Sequence, residues 1–339
     1  MWRFLILFIL ICVFQQSKGE VFEDITSKET SVNDVEKTIR KIERLTIDAE
    51  KARRESIVPI EDTEKLYDEI ARLLGDLTEL IAAKNNTYAF FKVHGVDTVI
   101  IPNIRTTYDS LRGQLLNLIK TLFKSAPTTT NTLLPINIVD MLLDVFENDD
   151  NLALKAHALD ILYFWLPNNP KLQARVMKVK GLEPFYRQIS KLDSEVVFKL
   201  LDLFNTVLEE HLAARNKDQR NRIDYENFRM YQMIGLIERM STVMVCDGLL
   251  NIFKVAVTIS ENAEEVLAPV FKLMKNIKPY CMKLYKSKES AANIFNDMHK
   301  YIRDNKDINF EALGLNYTEI EFILKDYNEQ LREHYKDEL

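Results

Sequence analysis

Apolar residues recur along most of the chain three and four positions apart, with charged residues between them, the spacing of helices that bury one face. The stretch from Ser31 to Arg54 places Val35, Ile39, Ile42 and Leu45 on one narrow stripe, with Ser31 available as an N-cap. "SIVPIED" interrupts it, and beyond the break Leu66, Ile70, Leu73, Leu74, Leu77, Leu80 and Ile81 form a wider apolar face. No segment sustains the two-residue alternation of a strand; "GVDTVIIPNI" comes nearest. The pattern predicts an all-α protein, with residues 20–60 as a loosely attached N-terminal arm holding one amphipathic helix and a packed helical body over residues 61–335.

The body has an internal rhythm. Three segments share the order of long helix, polar or proline-containing break, short helix, Gly or Asn turn, and second short helix. Their turn positions, Gly95, Asn137 and Gly181, lie 42 and 44 residues apart, inside the window of about 40 to 47 residues used by armadillo and HEAT repeats. A fourth turn at Gly235 follows after 54 residues, which implies an insertion in "AARNKDQRNRIDYENF". The break "LPNNPKL" explains itself in this scheme: proline cannot continue a helix and Asn can cap one, so the break ends one unit's long helix and starts the next short one. No such unit buries its apolar face alone, so the expected fold is an armadillo/HEAT-like right-handed α-solenoid with a concave surface.

Composition sharpens this. Eight glycines and nine prolines in 339 residues are too few for a sheet-rich fold, and 47% apolar with 28% charged residues is a globular balance. The net charge of −6, with acids and bases interspersed, argues against a nucleic-acid partner.

The chain ends address a compartment. "MWRFLILFILICVFQQSKG" carries Arg3, an apolar run over 4–14 and small residues at Ser17 and Gly19, so residues 1–19 are expected to be a signal peptide cleaved after Gly19. That run is shorter than the roughly 20 residues of a membrane-spanning helix, so no membrane insertion is expected after cleavage. Lys336, Asp337, Glu338 and Leu339 spell the signal that retains proteins in the endoplasmic reticulum. Lumenal residence fits two glycosylation sequons, at Asn85 and Asn316. With Cys12 removed, Cys246 and Cys281 remain; they either pair in an oxidising lumen or sit as buried free thiols, and spacing does not decide between the two.

Catalytic chemistry is hard to find. The five histidines stand in no metal-ligand spacing, and there is no glycine-rich phosphate loop, no G-x-S-x-G and no C-x-x-C. Glu209 and Glu210 precede His211, but neighbours on a helix point about 100° apart. No catalytic, cofactor-binding or metal-binding residues are expected, and the protein reads as a binding protein rather than an enzyme.

One helix offers a face for binding. In "SEVVFKLLDLFNTVLEEH", Val197, Leu200, Leu201, Phe204, Val207 and Leu208 form the apolar side, while Glu195, Lys199, Asp202, Thr206 and Glu209 follow one another at three- and four-residue steps on a polar stripe. Lys155, on the preceding long helix, is expected to join that stripe.

The segment from Leu154 to His211 resembles the armadillo-type nucleotide exchange factors of the seventy-kilodalton heat-shock chaperones. Lys155, Ala158, Asn168, Asn169, Pro170, Gln173, Gly181, Val196, Lys199 and Leu201 match that family's pattern; Pro167 and Leu200 depart from it. The resemblance implies a clamp on the chaperone's ATPase domain that favours an open nucleotide cleft and so releases ADP. With the two targeting signals, it implies the endoplasmic-reticulum branch, acting as a monomer on the lumenal chaperone BiP. A lumenal armadillo-repeat adaptor for some other folded protein is the alternative expectation.

Overall fold

The computed structural model describes residues 32–54, 60–182, 186–260, 264–305 and 308–336. The expected signal peptide and residues Asp337 to Leu339 of the retention signal lie outside them. Among the described residues every regular element is helical, and the fold is an all-α stack of helices. The chain divides after Pro135 into two compact units, where a single body from residue 61 was expected.

The first unit opens with α1 (residues 32–54). Val35, Ile39, Ile42, Thr46 and Ala49 are all buried, so the stripe runs on through Thr46 and Ala49. Thr46 and Asn103 exchange a buried side-chain hydrogen bond, and Lys41 reaches Glu69 at 2.7 Å. The expected loose arm is therefore corrected: its helix is part of the first unit's core. α2 (Ile60–Ile81), α3 (Lys84–Lys92), α4 (Asp109–Ser125) and α5 (Pro127–Leu133) follow, with α2 packed along α4. The strand-like "VDTVI" is a π-helical turn, Val96–Ile100, continued by Ile101–Asn103. Here the left-handed turn residue is His94 (φ 58°), while Gly95 is right-handed; glycine is required there because a Cβ would lie 2.4 Å from the Phe90 ring.

The second unit holds α6 (Ile138–Asn148), α7 (Leu152–Trp165), α8 (Pro170–Val179), α9 (Ser194–Asn216), α10 (Arg222–Ile234), α11 (Leu236–Met240), α12 (Val243–Ser260), α13 (Leu267–Tyr285), α14 (Glu289–Asp304) and α15 (Tyr317–Lys336). α7 packs on α6, α9 on α7, α13 on α9 and α15 on α13, so each layer covers the apolar face that the one before leaves open. Of the expected turn positions, Gly181 (φ 70°) and Gly235 (φ 65°) are left-handed, whereas Asn137 is right-handed and leads into α6. The extra length of the fourth unit is helix: α9 has 23 residues and α10 has 13, against 14 and 10 in α7 and α8.

Cys246 of α12 and Cys281 of α13 are bonded as a disulfide with their Cα atoms 5.5 Å apart, which resolves the alternative the sequence left open. Beside it Tyr285 donates to the Cys246 carbonyl and Tyr327 to that of Met274, while Phe295 stacks on Tyr327. Both hydroxyls are buried and satisfied, which lets large aromatic rings fill the core without an orphaned polar atom.

Candidate protein-binding face

Many polar residues that stand out in the sequence join helices together. Thr87 donates to the Ile81 carbonyl at 2.7 Å, Thr130 to that of Leu122 at 2.8 Å, and Gln173 to that of Leu166 at 2.9 Å. Residues 87, 130 and 173 thus repeat at an interval of 43, and each reaches back from a short helix to the end of the long helix before it. Carbonyls at a helix end have bonding capacity to spare, and these buried side chains use it; those of Leu122 and Leu166 also accept the amides of Ala126 and Asn169.

At the third of these joints the polar contacts form a network. Asn169 caps α8 through the amide of Leu172, and Pro170 fills its first position. Glu210 accepts from the Asn168 amide, from Gln173 and from the Tyr231 hydroxyl, and Gln173 Oε1 lies 3.0 Å from His211 Nε2. His211 is buried, and burial lowers its pKa to about 4, so the ring is neutral and donates to Gln173. Among the described residues no cluster of three His, Cys, Asp or Glu is arranged to hold a metal ion, and no helix is long and apolar enough to cross a membrane.

Lys155 is a correction. Instead of joining an exposed stripe it is buried, 4% exposed, and donates to the carbonyls of Phe146 and Glu147 at the end of α6 and to Gln188 Oε1. Burial lowers its pKa, with Lys191 adding to the effect. Helix α6 ends where two carbonyls converge, and a long cation from α7 is the group that fills the gap.

The remaining stripe residues do share one face of α9, and neighbouring helices hold them in place. Lys199 Nζ lies 2.7 Å from Asp160 of α7 and 3.3 Å from Glu195, and the Asp160 hydrogen bond raises the lysine's pKa. Asp202 accepts from Tyr163 at 2.6 Å, which pushes the phenol up to about 12. Glu209 pairs with Lys272 of α13 at 3.0 Å and accepts from Asn276. Thr206 is half-exposed, and Glu195 points to solvent. Lys199 and Asp202 thus reach backwards to α7 and Glu209 forwards to α13, leaving a charged face that is already ordered.

Asp160, Tyr163, Lys272 and Lys275 belong to this face too, although nothing in the sequence singled them out. They occupy ordinary helical spacings, and only the packing order of α7, α9 and α13 brings them to the stripe. Lys275 extends it to Glu319 of α15 at 2.6 Å.

Both sequon asparagines are exposed. Asn85 lies in the first turn of α3, where the sequon's Thr87 is buried by the bond described above. Asn316 precedes α15, and its Oδ1 accepts from the Glu319 amide at 3.3 Å.

No protein-family model matches the chain, and no curated protein matches it. Among solved structures, an engineered protein of the Northeast Structural Genomics Consortium is similar at 13% identity and a TM-score of 0.45, over 87% of this chain and 97% of its own. A designed armadillo repeat protein is similar at 9% identity and a TM-score of 0.42, over 86% of this chain and 99% of its own. A second engineered protein of that consortium shows 13% identity and a TM-score of 0.41, over 86% and 68%.

Proposed function

We propose that the protein is a nucleotide exchange factor that works in the lumen of the endoplasmic reticulum on the ATPase domain of the chaperone BiP. The observation that carries this reading is the α9 face. Lys199, Asp202 and Glu209 are partly exposed charges whose side chains are fixed by Asp160, Tyr163 and Lys272, so docking a folded partner orders few side chains that were free before. Helical repeats serve widely as protein-binding scaffolds. The resemblance over residues 154–211 supports the choice of partner, and the Cys246–Cys281 disulfide suits an oxidising compartment.

The action needs no catalytic residue. A face that binds the ATPase domain only when its cleft is open raises the population of that form, and by linkage it weakens ADP binding by the same factor. ATP then enters, the cleft closes, and the exchange factor leaves. On this reading the protein is a monomeric binder and not an enzyme.

The test is the release of fluorescent ADP from purified BiP. Release is expected to quicken with the concentration of this protein and to saturate as the complex forms. Release that stays at the basal rate, with BiP otherwise active, overturns the reading and leaves the lumenal adaptor, whose partner would be captured equally in ADP and ATP.

A further inference from the structure

The α9 face does not end at Asp202. It continues into a groove walled by Phe198 and Asp202 of α9, Lys272 and Lys275 of α13, and Asn316 and Glu319 at the start of α15. Apolar Ile320 and Ile323 line it as well. Asn316 therefore stands on the edge of the face assigned to the partner, three residues from the Lys275–Glu319 ion pair.

Its geometry suits modification in the folded protein. Oδ1 is occupied as the acceptor for the Glu319 amide, whereas Nδ2, the atom an N-glycan is joined to, makes no hydrogen bond among the described residues. Asn316 and Thr318 are both exposed. A glycan on Nδ2 leaves the helix cap intact and projects from the rim of the groove. An N-glycan is bulky and hydrated, and a docked protein surface has to exclude both bulk and water from that place.

We infer that N-glycosylation of Asn316 turns the α9 face off, so that the unmodified chain docks its partner and the Asn316 glycoform does not. The transfer joins Asn316 Nδ2 to the anomeric carbon of a lipid-diphosphate-linked oligosaccharide; the amide loses one proton and the lipid diphosphate leaves. Asn85 carries the same type of sequon in the first unit and is removed in the test. The inference rests on the partner docking on α9, as in the exchange-factor reading.

The experiment uses full-length protein made in cells that glycosylate, with Asn85→Gln so that one sequon remains, and mass spectrometry to score Asn316. The intact glycoform is compared with the same protein trimmed to a single sugar by an endoglycosidase. It is also compared with Thr318→Ala, which removes the sequon and keeps the Asn316 cap. Trimmed and Thr318→Ala proteins are expected to quicken ADP release from BiP at concentrations about tenfold lower than the glycoform requires. Equal potency of the intact glycoform overturns the inference, as does the absence of any glycan on Asn316, and in both cases the exchange-factor reading stands. If Thr318→Ala and trimmed protein leave release at the basal rate, the exchange-factor reading itself fails and the inference falls with it.

Discussion

The Asn168–Gln173 joint and the α9 stripe are made from the same kinds of residue and lie side by side in the chain, yet they do opposite things. At the joint, Gln173 and His211 are 3% and 2% exposed and their partners are used up internally. Along the stripe, Lys199 and Glu209 keep 34% and 44% of their side-chain surface although each is held by two neighbours. A buried polar group with all its bonds made specifies the packing; a half-buried one with spare bonding capacity can still be offered to a partner. The residues that carry the resemblance mix the two sets: Lys155, Asn168, Asn169, Pro170, Gln173 and Gly181 are joinery, and Lys199 lies on the stripe.

Four experiments press on this contrast. Lys155→Ala is expected to have the largest effect, about 3 kcal/mol of stability, because it leaves buried carbonyls at the end of α6 without a donor. Chemical denaturation measures it, and a change below about 0.5 kcal/mol would move Lys155 out of the joinery set. Gln173→Ala is expected to cost about 2 kcal/mol, since the Leu166 carbonyl, Glu210 and His211 each lose a partner. The exchange rate per folded molecule should stay unchanged, and a lost exchange rate at unchanged stability would place Gln173 on the partner's side.

The joint also predicts a pH dependence. His211 has a folded-state pKa of about 4, below its ordinary 6.5, so unfolding takes up a proton between these values. Stability is unaffected above about pH 7 and falls as pH drops through 6.5 towards 4, by about 2 kcal/mol at pH 5. His299, also lowered by burial, acts in the same direction. Thermal denaturation of His211→Asn against the parent should show a shallower loss between pH 7 and pH 5; parallel curves would mean that another group sets the slope.

The smallest stability effect is expected on the stripe. Exchanging Glu209→Lys with Lys272→Glu keeps the ion pair and reverses its direction, so the melting transition should move by less than about 0.5 kcal/mol. ADP release from BiP should fall to the basal rate. Full activity of the swapped protein would show that the partner sits elsewhere.

Much of the fold is legible in the sequence, because helical spacing, scarce glycine and repeated breaks are local signals. What escaped it depends on which helix meets which. The α1 stripe looks too narrow for a core until Thr46 is matched with Asn103, 57 residues away. Lys155 looks like a surface cation because its three acceptors lie on α6 and beyond Gly181, where no periodicity points. The polar stripe of α9 was readable, since it repeats within one helix, but Asp160, Tyr163 and Lys272 were not. The α7, α9 and α13 packing order that gathers them is a tertiary fact.

The three back-bonds at residues 87, 130 and 173 have a consequence for how the chain acquires its structure. Each links residues only 6, 8 and 7 positions apart, far closer than the helix pairs they end up separating. Such short closures form quickly and do not wait for distant partners. As the chain leaves the ribosome, the end of each long helix can be fixed as soon as the next short helix has emerged. A nascent helix is thereby stopped at its proper length before the following unit exists to pack on it, which limits the chance that it runs on into non-native pairing.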